Sequence, residues 1–333
     1  MNKFLVAVSL MLVLVCCTTE KRRADLSGID FDVEIGRFDK DFWALKGSDY
    51  AVTLPALQAK YPDFLPVYLE HILEFGSVED SLTRVELARF FADTTVAHLY
   101  TDALTAYEHV DDIEKKLTDA FRRGHYFFPN LPIPKCYMHA SGLNQSVVIG
   151  DGFISLSIDN YLGTDYPIYQ GVIYNYLIRN MIRSKAPSDY VIAWLSSEFP
   201  FSPTSGQLLE ELIYHGKIMY LTSILMPDEK EHLLIGYTEA QWSWCKKYER
   251  DMWMTLIENK HLFTTENIWR AKYLNDAPFT SPFTQESPGR AGVYIGWQII
   301  ESYMQRNATV TPLELILDLD AQHLLENSGY NPK

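Results

Sequence analysis

Lys135-Cys-Tyr-Met-His139, Gln145-Ser-Val-Val-Ile149 and Phe153-Ile-Ser-Leu156 follow one another closely and read as three short strands, punctuated by Gly142, Gly150 and Gly152. They decide the fold class, because most of the chain around them reads as helix. Upstream, Phe31-Asp-Val33-Glu-Ile35 alternates apolar and polar residues and predicts one more strand. Residues 39–130 then carry helical patterns. Ser77 or Ser81 is placed to cap a helix through Leu87, Phe90 and Phe91. A second helix is predicted from about Thr94 to Arg123, with Leu99, Ala103, Ala106, Val110, Ile113, Leu117 and Phe121 on one face. The character changes at Pro129–Pro134.

Downstream of the strands, helices are predicted at 168–184, 187–197, 205–226, 238–258, 289–304 and 311–327. Thr238-x-x-Gln241 is a capping-box pattern. Thr311-Pro312-x-Glu314 places Thr at the N-cap, Pro in the first turn and Glu where it can reach back. The reading is an α+β chain, predominantly helical, with a small sheet and an N-terminal helical layer. Its 333 residues are 47% hydrophobic and 22% charged, which excludes a disordered chain, a coiled-coil rod and a collagen-like fibre. The formal charge of −14 argues against nucleic acid as a partner, since phosphates are bound through Lys and Arg.

The N-terminus suggests an address. Lys3 precedes an apolar run from Phe4 to Val15 that suits a signal peptide and is too short to span a bilayer. It ends Leu14-Val15-Cys16-Cys17, a lipobox-like pattern. Residues 1–16 are therefore expected to be a lipoprotein signal peptide, with Cys17 lipidated and Cys16 as the fallback. Residues 17–30 form a polar tether, and 31–333 form the body. The lipid would hold the body to a membrane, and the periplasm is the preferred side because the tether lacks an acidic cluster. The remaining Cys136 and Cys245 permit one disulfide or two buried thiols.

Chemistry is sparsely marked. There is no phosphate-loop pattern, no dinucleotide fingerprint, no nucleophile elbow and no His-Glu-x-x-His helix. Three constellations remain. Glu211 and His215 stand four apart and share a helix face, as an acid/base pair, half a metal site or simply a satisfied pair. One helix supplies too few ligands, so the satisfied pair is preferred. Ser287-Pro-Gly-Arg290-Ala-Gly292-Val-Tyr294-Ile-Gly296 opens a helix. It suits an anion at the helix start or, preferably, close packing through its glycines. Cys136-x-x-His139 has two metal-capable side chains but no second pair. Trp242, Trp244, Tyr248 and Trp253 read as core, with lipid or sugar contact as the lesser alternative.

An ordered set of motifs carries a resemblance. Phe38-Asp-Lys-Asp-Phe42, Leu57-Gln-x-Lys60-Tyr61-Pro62, Tyr126-Phe-Phe-Pro129 and Asp159-Asn-Tyr161-Leu162-Gly163 come first. Ile213-Tyr-His-Gly-Lys217, Tyr237-Thr-Glu-Ala-Gln241-Trp-x-Trp-Cys245, Ala277-Pro-Phe279, Ser287-Pro-Gly-Arg290 and Gly296-Trp-Gln-Ile299 follow. Together they resemble the gliding-motility-associated lipoprotein GldB family, over nearly the whole of residues 30–333. The resemblance implies an envelope lipoprotein tied to gliding motility and its secretion machinery, with motility or secretion proteins as partners.

A weaker resemblance is to zincin-like metalloproteases. It would make 131–333 a zincin-like core beneath a helical layer at 31–130. The stretch corresponding to the zinc helix, Tyr169-Gln-Gly-Val-Ile-Tyr174-Asn-Tyr-Leu-Ile178, has neither His nor Glu, and the ligand Glu of the second helix falls at His215. Two ligands and the general base are thus missing. The expectation is a non-catalytic binding or assembly protein, a pseudo-protease with no metal and no cofactor. Its relic cleft would involve His215, Glu211, His139, Arg290 and Tyr294. The alternatives are an active envelope peptidase centred on His215, or a binder of an anionic cell-wall ligand.

Overall fold

The computed structural model describes residues 24–333, so the expected signal peptide and Cys17 lie outside the described residues. Four strands form one mixed sheet in the order β1-β2-β4-β3: β1 is Ile35–Gly36, β2 Lys135–His139, β3 Val147–Gly150 and β4 Phe153–Ser157. β1–β2 and β2–β4 are parallel, and β3 pairs antiparallel with β4, leaving β3 at the edge. The hairpin from β3 to β4 turns through Asp151 and Gly152, and Gly152 takes a φ of +72° that favours glycine. The predicted 31–35 strand shrinks to its last residue. Helix side chains take over its edge: Thr118 Oγ1 accepts from the Val33 amide at 2.9 Å and Glu114 accepts from that of Ile35 at 2.9 Å.

Alternation along the strands separates two cores. Tyr137 and Phe153 join Phe38, Phe42, Phe64 and Tyr68 in an aromatic layer on one face. That layer is built by α1 (Phe38–Trp43), α2 (Tyr50–Lys60), the turns at 65–72, α3 (Ser81–Ala92) and α4 (Thr94–Ala106). The cap of α3 is Asp80, whose carboxylate accepts from the Leu82 amide at 2.8 Å, rather than Ser77 or Ser81. Cys136, Met138, Ile154 and Leu156 face the other way, into the larger core.

The predicted helix from Thr94 to Arg123 is two helices, α4 and α5 (Asp111–Phe127). Tyr107 turns inward between them and donates to the Tyr161 carbonyl at 3.0 Å. Arg183 donates to the freed carbonyls of Ala106 and His109, each at 2.8 Å. Because α5 packs under the sheet, it joins the larger core with α6 (Ala186–Glu198), α7 (Leu208–Leu225), α8 (Glu239–Lys247), α9 (Glu249–Glu258), α10 (Asn267–Leu274), α11 (Ala291–Arg306), α12 (Pro312–Leu317) and α13 (Ala321–Ser328).

Several predicted helices are thus divided. The 238–258 run breaks at Tyr248 and the 311–327 run at Asp318–Asp320. Both expected capping boxes are present, at Thr238/Gln241 and Thr311/Glu314. The largest departure is at 168–184, which is not one helix. It holds 3-10 turns at Pro167–Tyr169 and Arg183–Lys185 and one short α-helix at Asn175–Ile178. Gly171 at φ +80° and an extended Tyr174 break the run, while Tyr169, Ile178 and Met181 bury themselves as a separate small cluster. The segment that the zincin likeness places on its first helix, Tyr169–Ile178, is helical only over Asn175–Ile178.

Trp242 and Trp253 are buried in the core, as expected, whereas Trp244 and Tyr248, expected there too, are only half-buried and pack on each other. Cys136 and Cys245 are free, buried thiols, and burial pushes the Cys136 thiol up to about 12. Among the described residues no helix is long and apolar enough to cross a membrane.

Candidate cleft

A cleft of about 490 Å³ opens where the start of β3, the irregular 161–181 segment, α6, α7 and the start of α11 meet. Its walls follow from helix periodicity. Asp189, Ile192 and Ser196 line it from one face of α6, and His215, Ile218 and Met219 from one face of α7.

Glycines set the position of the α7 wall. A Cβ on Gly216 would overlap the Gly296 carbonyl, and one on Gly296 would overlap that of Leu212. The backbones of α7 and α11 therefore touch, which brings His215 beside Arg290. The glycines of the 287–296 motif thus serve close packing, the preferred reading.

The rim near β3 is organised by Asp159. Its carboxylate, fully buried, accepts from the Ser157 hydroxyl, from the Ser141 amide at 3.1 Å and from the Leu143 amide at 2.7 Å. Burial pushes this carboxyl up while those donors pull it down. Ser141 in turn accepts from the amides of Asn144 and Gln145 at 3.0 and 3.1 Å. These bonds hold the loop through Gly142 and Leu143, both at positive φ, and present Asn144 and Ser146 to the cleft.

The floor carries a buried ion pair. Lys185 donates to Asp189 at 2.5 Å and to Ser188 at 3.0 Å, and the Tyr161 hydroxyl donates to the other Asp189 oxygen at 2.8 Å. These charges are matched by one another.

Of the residues picked out in the sequence, the cleft receives His215 and Arg290. His215 is half-buried and makes no hydrogen bond among the described residues. Burial and the nearby Arg290 charge push it down to about 4, so it is neutral at pH 7. Glu211 turns away and forms an ion pair with Arg270 on α10. Tyr294 donates to Glu249 at 2.7 Å and packs on Trp242, in the core behind α11.

His139 lies across the sheet. It stacks among Phe64 and Tyr68 and bonds Ser155 through Nδ1 at 2.8 Å, and burial pushes it down to about 3. The sheet separates it from the helices that carry His215. Among the described residues no three His, Cys, Asp or Glu side chains gather to hold a metal.

Sequence reasoning missed Lys185, Asp189 and Asp159. Lys185 and Asp189 stand four apart, a helix-pair spacing, and Asp159 heads one of the ordered motifs, so both signals were present.

Comparison with family models identifies this architecture: the model described as gliding motility protein GldB matches residues 19–332. The chain belongs to the GldB family. Membership makes it a gliding-motility-related protein of a lipoprotein family and suggests envelope motility proteins as its partners. No curated protein and no solved structure matches it. In this GldB-family chain, Asp159-Asn-Tyr161 and Pro288-Gly-Arg290, two of the motifs that carried the resemblance, both shape the cleft. The description of the family names no reaction.

Proposed function

We propose that the chain is an envelope lipoprotein, anchored through lipidated Cys17 and facing the periplasm, that supports gliding motility and the associated secretion without catalysis. Its cleft holds a segment of a partner protein of that machinery. The motivating observation is the disposition of the cleft's ionisable groups. Lys185 and Asp189 satisfy each other, Glu211 is turned to Arg270, and His215 makes no hydrogen bond among the described residues to a carboxylate that would orient it or to a hydroxyl that it would activate. That arrangement suits recognition better than acid/base work.

The test is genetic and uses the cleft. Ser196→Trp fills it from α6 at a half-buried position. Cells producing normal amounts of this variant should lose spreading and secretion as a deletion strain does. A deletion strain that spreads and secretes normally would overturn the proposal. In the same cells Cys17→Ala should move the protein out of the membrane fraction.

A further inference from the structure

Arg290 is held in an unusual way. It sits at φ +59° at the N-cap of α11, in the left-handed region that a non-glycine residue occupies at a cost of roughly 1–2 kcal/mol. Its neighbours pin it there. Thr280 donates through its hydroxyl to the Pro288 carbonyl at 2.7 Å and accepts from the Ala291 amide at 2.9 Å, and Tyr237 donates to the Gly289 carbonyl at 3.0 Å. A Cβ on Gly289 would overlap the Ala277 carbonyl, so the loop has one way to lie.

The guanidinium delivered to the cleft by this loop makes no hydrogen bond among the described residues. Its one ion pair is with Asp276, at 3.7 Å, and that side chain is 43% exposed. Five N–H donors are therefore in place with no acceptor at hydrogen-bonding distance. His215, the nearest ionisable group on α7, is likewise unbonded and lines the same wall. The other cation of the cleft, Lys185, already has Asp189 and Ser188. The unmet donor capacity is thus concentrated at one place. A part-buried guanidinium without an acceptor is a standing demand for an anion.

The rest of the wall narrows the class of molecule. Asn180 and Ser146 line the cleft and make no side-chain hydrogen bond among the described residues, and apolar Ile173, Leu177 and Met219 line it too. Hydrocarbon against Asn180 and Ser146 would leave them unpaired, whereas peptide groups satisfy them. β3, whose first residue borders the cleft, is an edge strand with its outer side unpaired within the sheet.

We infer that the cleft takes an extended peptide segment and that Arg290, with His215 beside it, receives a carboxylate of that segment, from an Asp or Glu side chain or a chain end. The inference rests on the reading of the cleft as a partner-binding site. Asp276 occupies the guanidinium loosely in the free protein and yields to the incoming carboxylate.

The experiment uses the full-length chain in detergent micelles. The probes are two pools of random heptapeptides, acetylated and amidated, one with Asp fixed at its centre and the other with Asn there. A third probe is vesicles of phosphatidylglycerol, and a fourth is a random heptapeptide pool without Asp or Glu but with a free C-terminus. The Asp pool or the free C-terminus pool should bind roughly tenfold tighter than the Asn pool, the size of a charge-assisted hydrogen bond. The pool that gains shows whether the carboxylate is a side chain or a chain end.

Arg290→Asn suits the left-handed backbone and removes the cation, so it should abolish that preference while leaving weak binding of every pool. Arg290→Lys should restore part of it. His215→Asn should reduce the preference without touching the loop.

Equal binding of all pools, unchanged by Arg290→Asn but lost in Ser196→Trp, would overturn the carboxylate site and leave the partner cleft standing. No binding of any pool at millimolar concentration would overturn both. Binding of the vesicles alone, dependent on Arg290, would replace the peptide by a lipid.

Discussion

At the scale of single residues, burial is the main cause that holds two histidines of this chain neutral. His139 is fully buried among aromatic rings, whereas His215 feels both burial and the charge of Arg290. Nuclear magnetic resonance titration should show His215 titrating near pH 4, and Arg290→Asn should move it up toward its ordinary value. A His215 that titrates above pH 6 in the native protein would contradict the cleft geometry.

Both depressed values also act on stability. The unfolded chain takes up protons below about pH 6.5 that the folded histidines refuse. Their contribution is therefore complete above about pH 6.5 and is lost as pH falls toward 4 for His215 and 3 for His139. Buried Asp39 and Asp159, raised by burial, act in the opposite sense in acid, so the comparison must be with a variant. His139→Asn keeps an atom near Nδ1 to meet Ser155 and cannot titrate. Its melting temperature should be lower at pH 7 but should fall less steeply between pH 6.5 and pH 4. Parallel curves for the two proteins would show that His139 is not the titrating group.

At the scale of elements, the α7–α11 contact matters most, because it sets His215 against Arg290. A methyl group at Gly296 has only backbone to push against: the Leu212 carbonyl. Gly296→Ala should therefore cost at least about 2 kcal/mol, as overpacking does where nothing can yield. Thr311→Ala removes one capping box at an exposed helix start and should cost about 1 kcal/mol. Chemical denaturation of both variants checks the order, and a neutral Gly296→Ala would mean that the two helices lie farther apart.

Element limits were legible where the signal is local. Thr238, Gln241, Thr311 and Glu314 satisfy amides a few residues away, so their meaning does not depend on the rest of the chain. Limits set by distant partners were not legible. The break after Ala106 depends on Arg183 and on the Tyr161 carbonyl, neither near it in sequence. The 168–184 stretch has apolar residues at helical spacing, yet they serve a small cluster and one wall of the cleft instead of a helix face.

At the scale of the molecule, the sheet divides the chain into an aromatic layer and a larger helical core, and it also divides the candidate residues. That division bears on metal chemistry. The purified full-length chain, loaded with zinc and dialysed, should retain well under one equivalent. Near-stoichiometric zinc that falls away in His215→Ala would replace the binding reading with a hydrolase centred on that residue.

The class of fold, the family and both capping boxes follow from the sequence alone, since they rest on local patterning and on the order of motifs along one line. The cleft does not. Lys185 meets Tyr161 through Asp189, Arg290 meets His215, and Asp159 holds a loop that borders the same cleft although it is distant in sequence from α7 and α11. Those meetings depend on how α7 lies on α11 and on which side of the sheet each side chain faces. The first is a property of packing in three dimensions, and strand alternation shows which residues share a face but not which core that face meets.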